Sequence, residues 1–441
     1  QQDAFEADFE INAYKKNLAP DEAAIEFVRF RLRTNRWTDS IMYGAYILKK
    51  NETMPQFIPL FEEKQLQKIF DSAGTTATSM VSKFYRGGDI KNKSTAAALG
   101  AELYKLTWRP LEPYLSGISK VSYAPAGKLY SIAFHALPVD SGRTLMDKYT
   151  LQQYTSTRQV ALRKQDEQSK KIKSITLFGD AAFAADSVII RRSKEIDQEK
   201  APSSNITSAE RGTRGGNWAS LPGTADEVKK IRSVFEKSLP PGEAGQIITR
   251  TFTQKNATEE NLKALSGQSP YVLHIATHGF FLPEPRLKAR SNNDFGNENS
   301  YNLADDPLLR SGLIFAGGNY AWSGKTPIEG IEDGIATAYE ISQLNLSNTE
   351  LVVLSACETA LGDVKGSEGV FGLQRAFKMA GVKKMIVSLW QVPDKETAEL
   401  MTAFYSYWLK EKTINEAFAQ AQAEMRKKYS PYYWAAFVLV E

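Results

Sequence analysis

Tyr271–Gly279 (YVLHIATHG) and Glu350–Glu358 (ELVVLSACE) are the two stretches that decide the fold. Each is an apolar run that ends in polar, chemically reactive residues. Helical patterns surround them at LPGTADEVKKIRSVFEK, SEGVFGLQRAFKMAG and DKETAELMTAFYSYW. Apolar strands that alternate with helices are typical of a parallel sheet covered on both faces. The sequence therefore predicts an α/β fold with a predominantly parallel sheet.

The chain divides into three segments around these motifs. Residues 1–20 are predicted to be a polar helical tail or the end of an upstream repeat. Residues 21–165 mix strand-like and helical runs and contain no catalytic constellation. Residues 170–441 carry the alternating pattern, which is interrupted by polar stretches at 185–220 and 285–310. Both stretches are predicted to be exposed loops.

The composition argues against several classes of protein. The chain is 42% hydrophobic and 24% charged, as in ordinary globular proteins. Its net charge of +4 does not require nucleic acid or anionic lipid as a partner. No apolar run reaches the roughly 20 residues that span a bilayer, and no signal peptide is apparent. The single cysteine excludes an internal disulfide framework and favours a reducing, cytoplasmic location.

Cys357 and His278 each follow one of the apolar strands. In open α/β sheets, functional groups gather beyond the carboxyl ends of the strands. A thiolate nucleophile needs a proton carrier, which a histidine at a neighbouring strand end supplies. Gly279 allows close approach of a substrate backbone, and its N–H can face a developing oxyanion. Spacing alone leaves Cys357 either a nucleophile or a small buried core residue.

The other two histidines are predicted to be structural. His274 lies four residues before His278, which in a strand is about 13 Å away along the same face. We therefore expect His274 to be a core histidine with its hydrogen bonds satisfied. His135 occurs in an apolar run and is predicted to have a structural role. Three histidines and one cysteine without a paired-ligand motif predict no metal site.

Four further residues are candidates for substrate binding. Asp180 ends the first strand of the second half and either lines the S1 pocket or serves as a turn residue. Glu358 either contacts substrate or caps a turn. Trp390 and Asp394 follow another strand end, where they shape a groove, unless Trp390 only packs in the core.

The motifs THG, LVVLSACET and GSEGVFGLQRAFKMAGVKKMIVSLWQVPD resemble the CHAT proteases, relatives of caspases and separase. The resemblance covers essentially residues 170–441. It implies a caspase-like α/β/α sandwich, with 21–165 as an inactive pseudo-caspase half and 170–441 as the catalytic half. It also implies that His278 and Cys357 form a dyad. The backbone N–H groups of Gly279 and Cys357 are then candidates for the oxyanion hole.

Together, the residues and the resemblance predict a cysteine endopeptidase that cleaves a specific protein substrate without a cofactor. The likeness to separase suggests a basic P1 residue, paired with Asp180 or another carboxylate. It also suggests control by upstream tetratricopeptide repeats or a regulatory protein, in bacterial defence or cell-death signalling. The loop 285–310 is a candidate for rearrangement during that control.

Two alternatives to a peptidase stay open at this point. The first is a catalytically latent binding or regulatory scaffold of the same fold. The second is a nucleotide-binding regulatory domain, although no G-x-G-x-x-G motif follows the first strand. Neither a nucleic acid nor a membrane is expected as a partner.

Overall fold

A computed structural model gives the structure of the chain. It describes residues 11–74, 81–86, 89–140, 142–163, 172–185, 217–237, 247–282, 308–325, 330–356, 368–410 and 412–441. The chain forms two compact units, the first comprising residues 1–170 and 424–441 and the second residues 171–423.

The sheet of the first unit combines an antiparallel edge with a parallel body. Its described strands are β1 (Glu22–Arg33), β2 (Trp37–Lys49), β3 (Gln56–Glu62), β4 (Lys120–Ala124), β5 (Thr150–Gln153) and β14 (Phe437–Val440). Their order is β3-β2-β1-β4-β5-β14. The pairs β3–β2 and β2–β1 are antiparallel, whereas β1, β4, β5 and β14 run parallel.

β1 changes character along its length. Its first half pairs with β4 as well as β2, and Ala23 and Ile25 are fully buried there. Beyond Glu26 it pairs only with β2, and the alternating side chains of Arg29, Arg31 and Arg33 are exposed. A strand flanked on both sides needs apolar residues, and one that leaves the sheet body tolerates charges.

The described helices are mostly short and flank the strands. They are α1 (Ile11–Asn17), α2 (Glu63–Ala73), α3 (Asp89–Thr107), α4 (Leu145–Lys148), α5 (Arg158–Ala161), α6 (Pro222–Lys237), α7 (Glu259–Lys263), α8 (Gly318–Trp322), α9 (Ala338–Ser342), α10 (Glu368–Met379), α11 (Asp394–Trp408), α12 (Ile414–Arg426) and α13 (Pro431–Trp434). A π-helical turn occurs at Ser82–Arg86, and 3-10 turns occur at Arg109–Tyr114, Gly127–Ser131 and Phe134–Ala136.

The main sheet of the second unit is entirely parallel among its described strands. These are β6 (Ser174–Ala181), β7 (Ile248–Gln254), β8 (Val272–Ile275), β12 (Leu351–Leu354) and β13 (Lys384–Ser388). Their order is β13-β12-β8-β6-β7. Every residue of β8, β12 and β13 is buried, as is typical of strands in a parallel sheet that is covered on both faces.

The second unit also contains a small antiparallel sheet, whose strands lie between β8 and β12 in the sequence. It consists of β9 (His278–Phe281), β10 (Ser311–Ile314) and β11 (Ile335–Thr337), in the order β11-β10-β9. His278 lies opposite Ile314 in the β9–β10 ladder. The second histidine of the HIATHG motif therefore belongs to a different sheet from the first.

The structure confirms the predicted α/β class and the predominantly parallel sheet. Three local patterns predict something else: a single strand at YVLHIATHG, a strand-like run through KVSYAPAGKLYSIAFHALPV and a helix at GIATAYEIS. These three local predictions are wrong. YVLHIATHG is not one strand, because the chain leaves the main sheet after Ile275 and starts β9 at His278. The run after β4 forms 3-10 turns, because Pro125 and the positive φ of Gly127 end the strand. GIATAYEIS forms β11 before it becomes α9.

The C-terminal strand belongs to the first unit. β14 pairs in parallel with β5, and Val440 lies opposite Gln153. The two units divide near residue 170, and residues 424–441 belong to the first unit. The assignment of 21–165 and 170–441 to an inactive and a catalytic half stays a prediction. Most of 285–310 and most of 185–220 lie outside the described residues.

Candidate active site

The carboxyl ends of β6, β8 and β12 lie side by side in the second unit. Ile275 at the end of β8 is in register with Phe178 of β6 and Leu354 of β12. The Ala276 N–H donates to the Phe178 carbonyl at 2.8 Å, and the Ser355 N–H donates to the Ile275 carbonyl at 2.9 Å. The chain segments that continue to His278 and Cys357 therefore leave adjacent strands at the same sheet edge.

His278 is half-buried at the start of β9, and its ring orientation is fixed by a backbone carbonyl. Its Nε2 lies 2.8 Å from the carbonyl oxygen of Ala219. Because a carbonyl only accepts, Nε2 carries a proton, and the neutral ring then has Nδ1 as its acceptor. The rings of Phe183 and Trp218 each lie 4.9 Å from the imidazole. The histidine is thus held in one orientation and one tautomer, as a proton carrier needs.

The N–H of Gly279 points away from the neighbouring strand. The Leu282 N–H donates to the Arg310 carbonyl at 2.7 Å, which fixes the alternation of the β9–β10 ladder. Gly279 lies opposite Leu313, in a pair of the class that exchanges no hydrogen bonds. Its N–H is therefore directed to the side of β9 opposite β10, where it has the geometry to meet a ligand.

Asp394 lies at the first position of α11 and contacts the first turn of α6. Its carboxylate accepts the N–H of Gly223, and a Cβ at position 223 would overlap the Asp394 side chain. Burial raises the pKa of Asp394, as does the charge of Glu227, while the Gly223 N–H and His278 oppose the rise. Asp394 is therefore a half-buried carboxylate in electrostatic contact with His278.

Asp180 lies at the end of β6 with a left-handed backbone, at φ 51°. Its N–H lies 2.7 Å from the Thr224 hydroxyl oxygen, and its carboxylate accepts from the Gln254 side chain, whose backbone is also left-handed at φ 52°. A Cβ on Gly179 would lie 2.6 Å from Val228, so α6 packs closely against this strand end. Asp180 is therefore half-buried at the carboxyl end of β6, where its left-handed backbone bends the chain.

The other predicted site residues have different outcomes. Trp390 is 1% exposed, and its carbonyl accepts from the Ser388 hydroxyl, so the indole packs in the core. Cys357 and Glu358 lie outside the described residues, which stop at Ala356 on this side.

Sequence reasoning missed the segment Trp218–Glu227. Backbone atoms of Ala219 and Gly223 contact His278 and Asp394, and these carry no side-chain signature. Glu227 offered a signal, because it shares the buried face of α6 with Ile231. A carboxylate on the apolar face of a helix requires buried partners.

One carboxylate cluster in the described residues has the spacing of a metal site. Oxygens of Glu259, Glu332 and Glu340 lie within 4.8 Å of one another. The Lys263 Nζ lies 2.8, 2.8 and 3.2 Å from these three side chains. Burial raises the pKa of Glu259, as does the charge of Glu340. The ammonium of Lys263 provides the positive charge that this cluster requires.

These features define an α/β protein with a mainly parallel sheet and a His-Gly pair at its carboxyl edge. The sequence model of the CHAT domain family matches residues 97–441. The chain therefore belongs to the CHAT domain family. Among the described helices, none has both the length and the apolar character to cross a membrane.

Several known proteins are similar to parts of the chain. Tetratricopeptide repeat protein 28 is 35% identical over 109 residues in Mus musculus and 33% identical over 113 residues in Homo sapiens. These matches cover 24% and 25% of this chain but only 4% of each relative.

Two solved structures are also similar. The Saccharomyces cerevisiae separase–securin complex has a TM-score of 0.47 and 9% identity, over 98% of this chain and 30% of that chain. The Arg-specific cysteine proteinase gingipain R of Porphyromonas gingivalis has a TM-score of 0.38 and 10% identity, over 86% of this chain and 74% of that chain. The family assignment rests on the domain match.

Proposed function

We propose that the protein is a cysteine endopeptidase with Cys357 as nucleophile and His278 as proton carrier. The observation that carries the proposal is the fixed imidazole of His278, with Nε2 on the Ala219 carbonyl. This imidazole begins a strand three residues after Ile275, whose carbonyl binds the Ser355 N–H. The chain continues from Ser355 through Ala356 to Cys357, and family membership supports the same pair.

The reaction proceeds through a thioester. His278 accepts the thiol proton, and the thiolate of Cys357 attacks the peptide carbonyl carbon. The N–H groups of Gly279 and Cys357 stabilise the oxyanion while His278 gives the proton to the leaving amine and the C–N bond breaks. His278 then takes a proton from water, which attacks the thioester and releases the carboxylic acid and the thiol. These steps need no cofactor.

We propose a basic P1 side chain that pairs with Asp394, with Asp180 as the second candidate. The raised pKa of the half-buried Asp394 indicates a carboxylate whose charge is incompletely compensated. A guanidinium or ammonium from the substrate would compensate it. In a peptide library that varies P1, D394N should lose the preference for Arg and Lys, whereas D180N should keep it. A wild-type preference for acidic P1 residues would contradict this proposal.

The test of the catalytic pair uses C357A and H278A. Both variants should lose peptide cleavage entirely and keep the thermal unfolding midpoint of the wild type, because His278 is only half-buried and each substitution removes a single side chain. Iodoacetamide gives a second readout, since the chain has one cysteine. The wild-type thiol should react rapidly with iodoacetamide at a pH below the ordinary pKa of a thiol, and H278A should abolish that reactivity. An inert wild-type thiol would refute Cys357 as the nucleophile and favour the latent scaffold. Full cleavage by either variant would refute the assigned dyad.

We also propose that a repeat domain or a regulatory protein controls the enzyme. The curated relatives are tetratricopeptide repeat proteins, which supports an association of this domain with such repeats. Limited proteolysis around 285–310, with and without a purified repeat domain, should give different cleavage patterns. An identical pattern would argue against control at this loop. The cytoplasmic location and the role in bacterial defence or cell death stay predictions.

A further inference from the structure

A buried carboxylate connects α6 to both strands that precede the candidate dyad. Glu227 is 1% exposed on the inner face of α6. Its Oε1 lies 3.1 Å from Nε2 of His274 in β8, and its Oε2 accepts from the Ser355 hydroxyl after β12 at 3.0 Å. One carboxyl group therefore contacts two adjacent strands at the edge where His278 and Cys357 follow.

The hydrogen bonds of Glu227 extend through His274 to Tyr405. A carboxylate only accepts, so the Nε2 of His274 and the hydroxyl of Ser355 both donate to Glu227. The Nδ1 of His274 lies 3.1 Å from the hydroxyl oxygen of Tyr405. Burial raises the pKa of Tyr405, as does the charge of Glu227, which keeps this hydroxyl protonated. Both ring nitrogens of His274 and both carboxylate oxygens of Glu227 therefore have hydrogen-bond partners.

The segment that carries Glu227 also reaches the other site residues. Ala219 fixes the ring of His278, and Thr224 binds the backbone of Asp180. Ser355 is tied to β8 through its own N–H and to α6 through its hydroxyl. The two bonds of Ser355 therefore fix the segment before Cys357 relative to the end of β8, which leads to His278, and relative to α6.

We propose that Glu227 is a positioning residue of the endopeptidase: its carboxylate holds the carboxyl ends of β8 and β12 in the register in which the dyad reacts. This inference rests on the proposed function. Misplacement of reacting groups by about 1 Å can lower a rate roughly 100-fold. Glu227 contacts no reacting atom, so its effect passes through His274 and Ser355.

The same two strands supply a matched control at their opposite ends. The hydroxyl of Thr349 donates to the Pro270 carbonyl at 2.8 Å, and Thr349 is fully buried. This bond connects the segments just before β8 and β12, whereas the Ser355–Glu227 bond connects the segment just after β12 to α6. T349V and S355A each delete one buried hydroxyl bond, but only Ser355 adjoins the candidate site.

The experiment measures the iodoacetamide reaction of the single cysteine in the full chain, below the ordinary thiol pKa, together with thermal unfolding. E227Q should slow alkylation roughly 100-fold, because the two donors bind different oxygens of Glu227 and a glutamine amide has an NH2 donor at one of these positions. S355A should slow it roughly 10-fold, and T349V should leave it unchanged. On a cleavable peptide, S355A should lower kcat and leave KM unchanged.

Three outcomes decide between the possibilities. Equal alkylation rates in S355A and the wild type, with a reactive wild-type thiol, would overturn the positioning role and leave the peptidase standing. Equally slow alkylation in S355A and T349V would show that loss of any buried hydroxyl bond has this effect. That result would also overturn the positioning role of Glu227. An unreactive wild-type thiol would instead refute the proposed function itself.

Discussion

Glu22 in the first unit and Glu227 in the second unit are equally buried, at 1% exposure, but have different surroundings. Glu22 begins β1 opposite Lys120 and binds both terminal nitrogens of Arg163, at 2.9 and 3.1 Å. Glu227 binds His274 and Ser355 beside the carboxyl ends of β8 and β12. The first carboxylate faces a guanidinium and an ammonium at the amino ends of its strands, and the second faces an imidazole and a hydroxyl at the carboxyl ends.

The different surroundings indicate different roles: Glu22 stabilises its unit, and Glu227 positions the residues of the candidate site. Burial alone would raise the pKa of Glu22, but Arg163 and the Ser122 hydroxyl outweigh it and lower the pKa. That charge is compensated within the first unit. In parallel sheets the carboxyl ends carry the functional groups, so Glu227 lies where small displacements affect chemistry. Burial of a carboxylate does not by itself distinguish these roles; partners and strand end do.

The largest expected effect on stability comes from R163M. It removes the guanidinium that binds both oxygens of the buried Glu22 carboxylate and leaves only the Lys120 ammonium at 3.7 Å, which should lower the free energy of unfolding by about 3–5 kcal/mol. Arg29 pairs with Glu63 but is 41% exposed, and Lys128 also binds Glu63 at 3.3 Å, so R29M should cost much less. Urea unfolding measures both variants. Slower Cys357 alkylation in folded R163M would contradict the assignment of Glu22 to stability alone.

K263M tests a buried cation in the second unit. Its loss leaves three neighbouring carboxylates, but Glu259 can take a proton because burial and Glu340 already raise its pKa. We expect a loss of about 3 kcal/mol near neutral pH. The folded state binds more protons here than the unfolded state, so stability falls as pH rises from the ordinary glutamate range toward the raised pKa.

The loss in K263M should therefore grow between acidic and neutral pH in urea unfolding. K383M is the control, since Lys383 pairs with Glu350 but is 49% exposed. A loss in K263M that stays constant with pH would show that Glu259 does not take up the proton.

The smallest expected effect comes from D147N. Asp147 binds Arg426 through two bonds of 2.6 and 2.7 Å, and this pairing lowers its pKa to about 2. Both side chains are about one-third exposed, so the loss at neutral pH should stay below about 1 kcal/mol. The pair's contribution is present above the ordinary aspartate pKa and disappears as pH falls toward about 2. The difference in the free energy of unfolding between D147N and the wild type, measured by urea unfolding, should therefore become smaller as pH falls. A difference that grows in acid would contradict a stabilising role of the Asp147–Arg426 pair.

Sequence reasoning selected His278 over His274 from a single following glycine. The structure confirms His274 as a core histidine, with 0% exposure and both ring nitrogens bonded. The break between β8 and β9 was not predictable, because the apolar pattern through Phe281 suits either sheet. The contact of His278 with the backbone carbonyl of Ala219 was not predictable either, because a backbone carbonyl leaves no signature in the sequence. The roles of Cys357 and Glu358 stay predictions from the motif.

The break after Ile275 has a mechanical consequence. His278 starts a strand of the small antiparallel sheet, while Ser355 extends a strand of the main parallel sheet. The separation of the two proposed catalytic side chains therefore depends on how the two sheets are held together. The Ala316 N–H donates to the Ala257 carbonyl at 2.9 Å, and the Gly317 N–H donates to the Ala182 carbonyl at 3.1 Å, so backbone bonds connect the segment after β10 to the ends of β7 and β6. A misplacement of reacting groups by about 1 Å can lower a rate roughly 100-fold. Because of the strand break, the proposed catalytic distance depends on the contacts between two sheets and not on a single strand ladder.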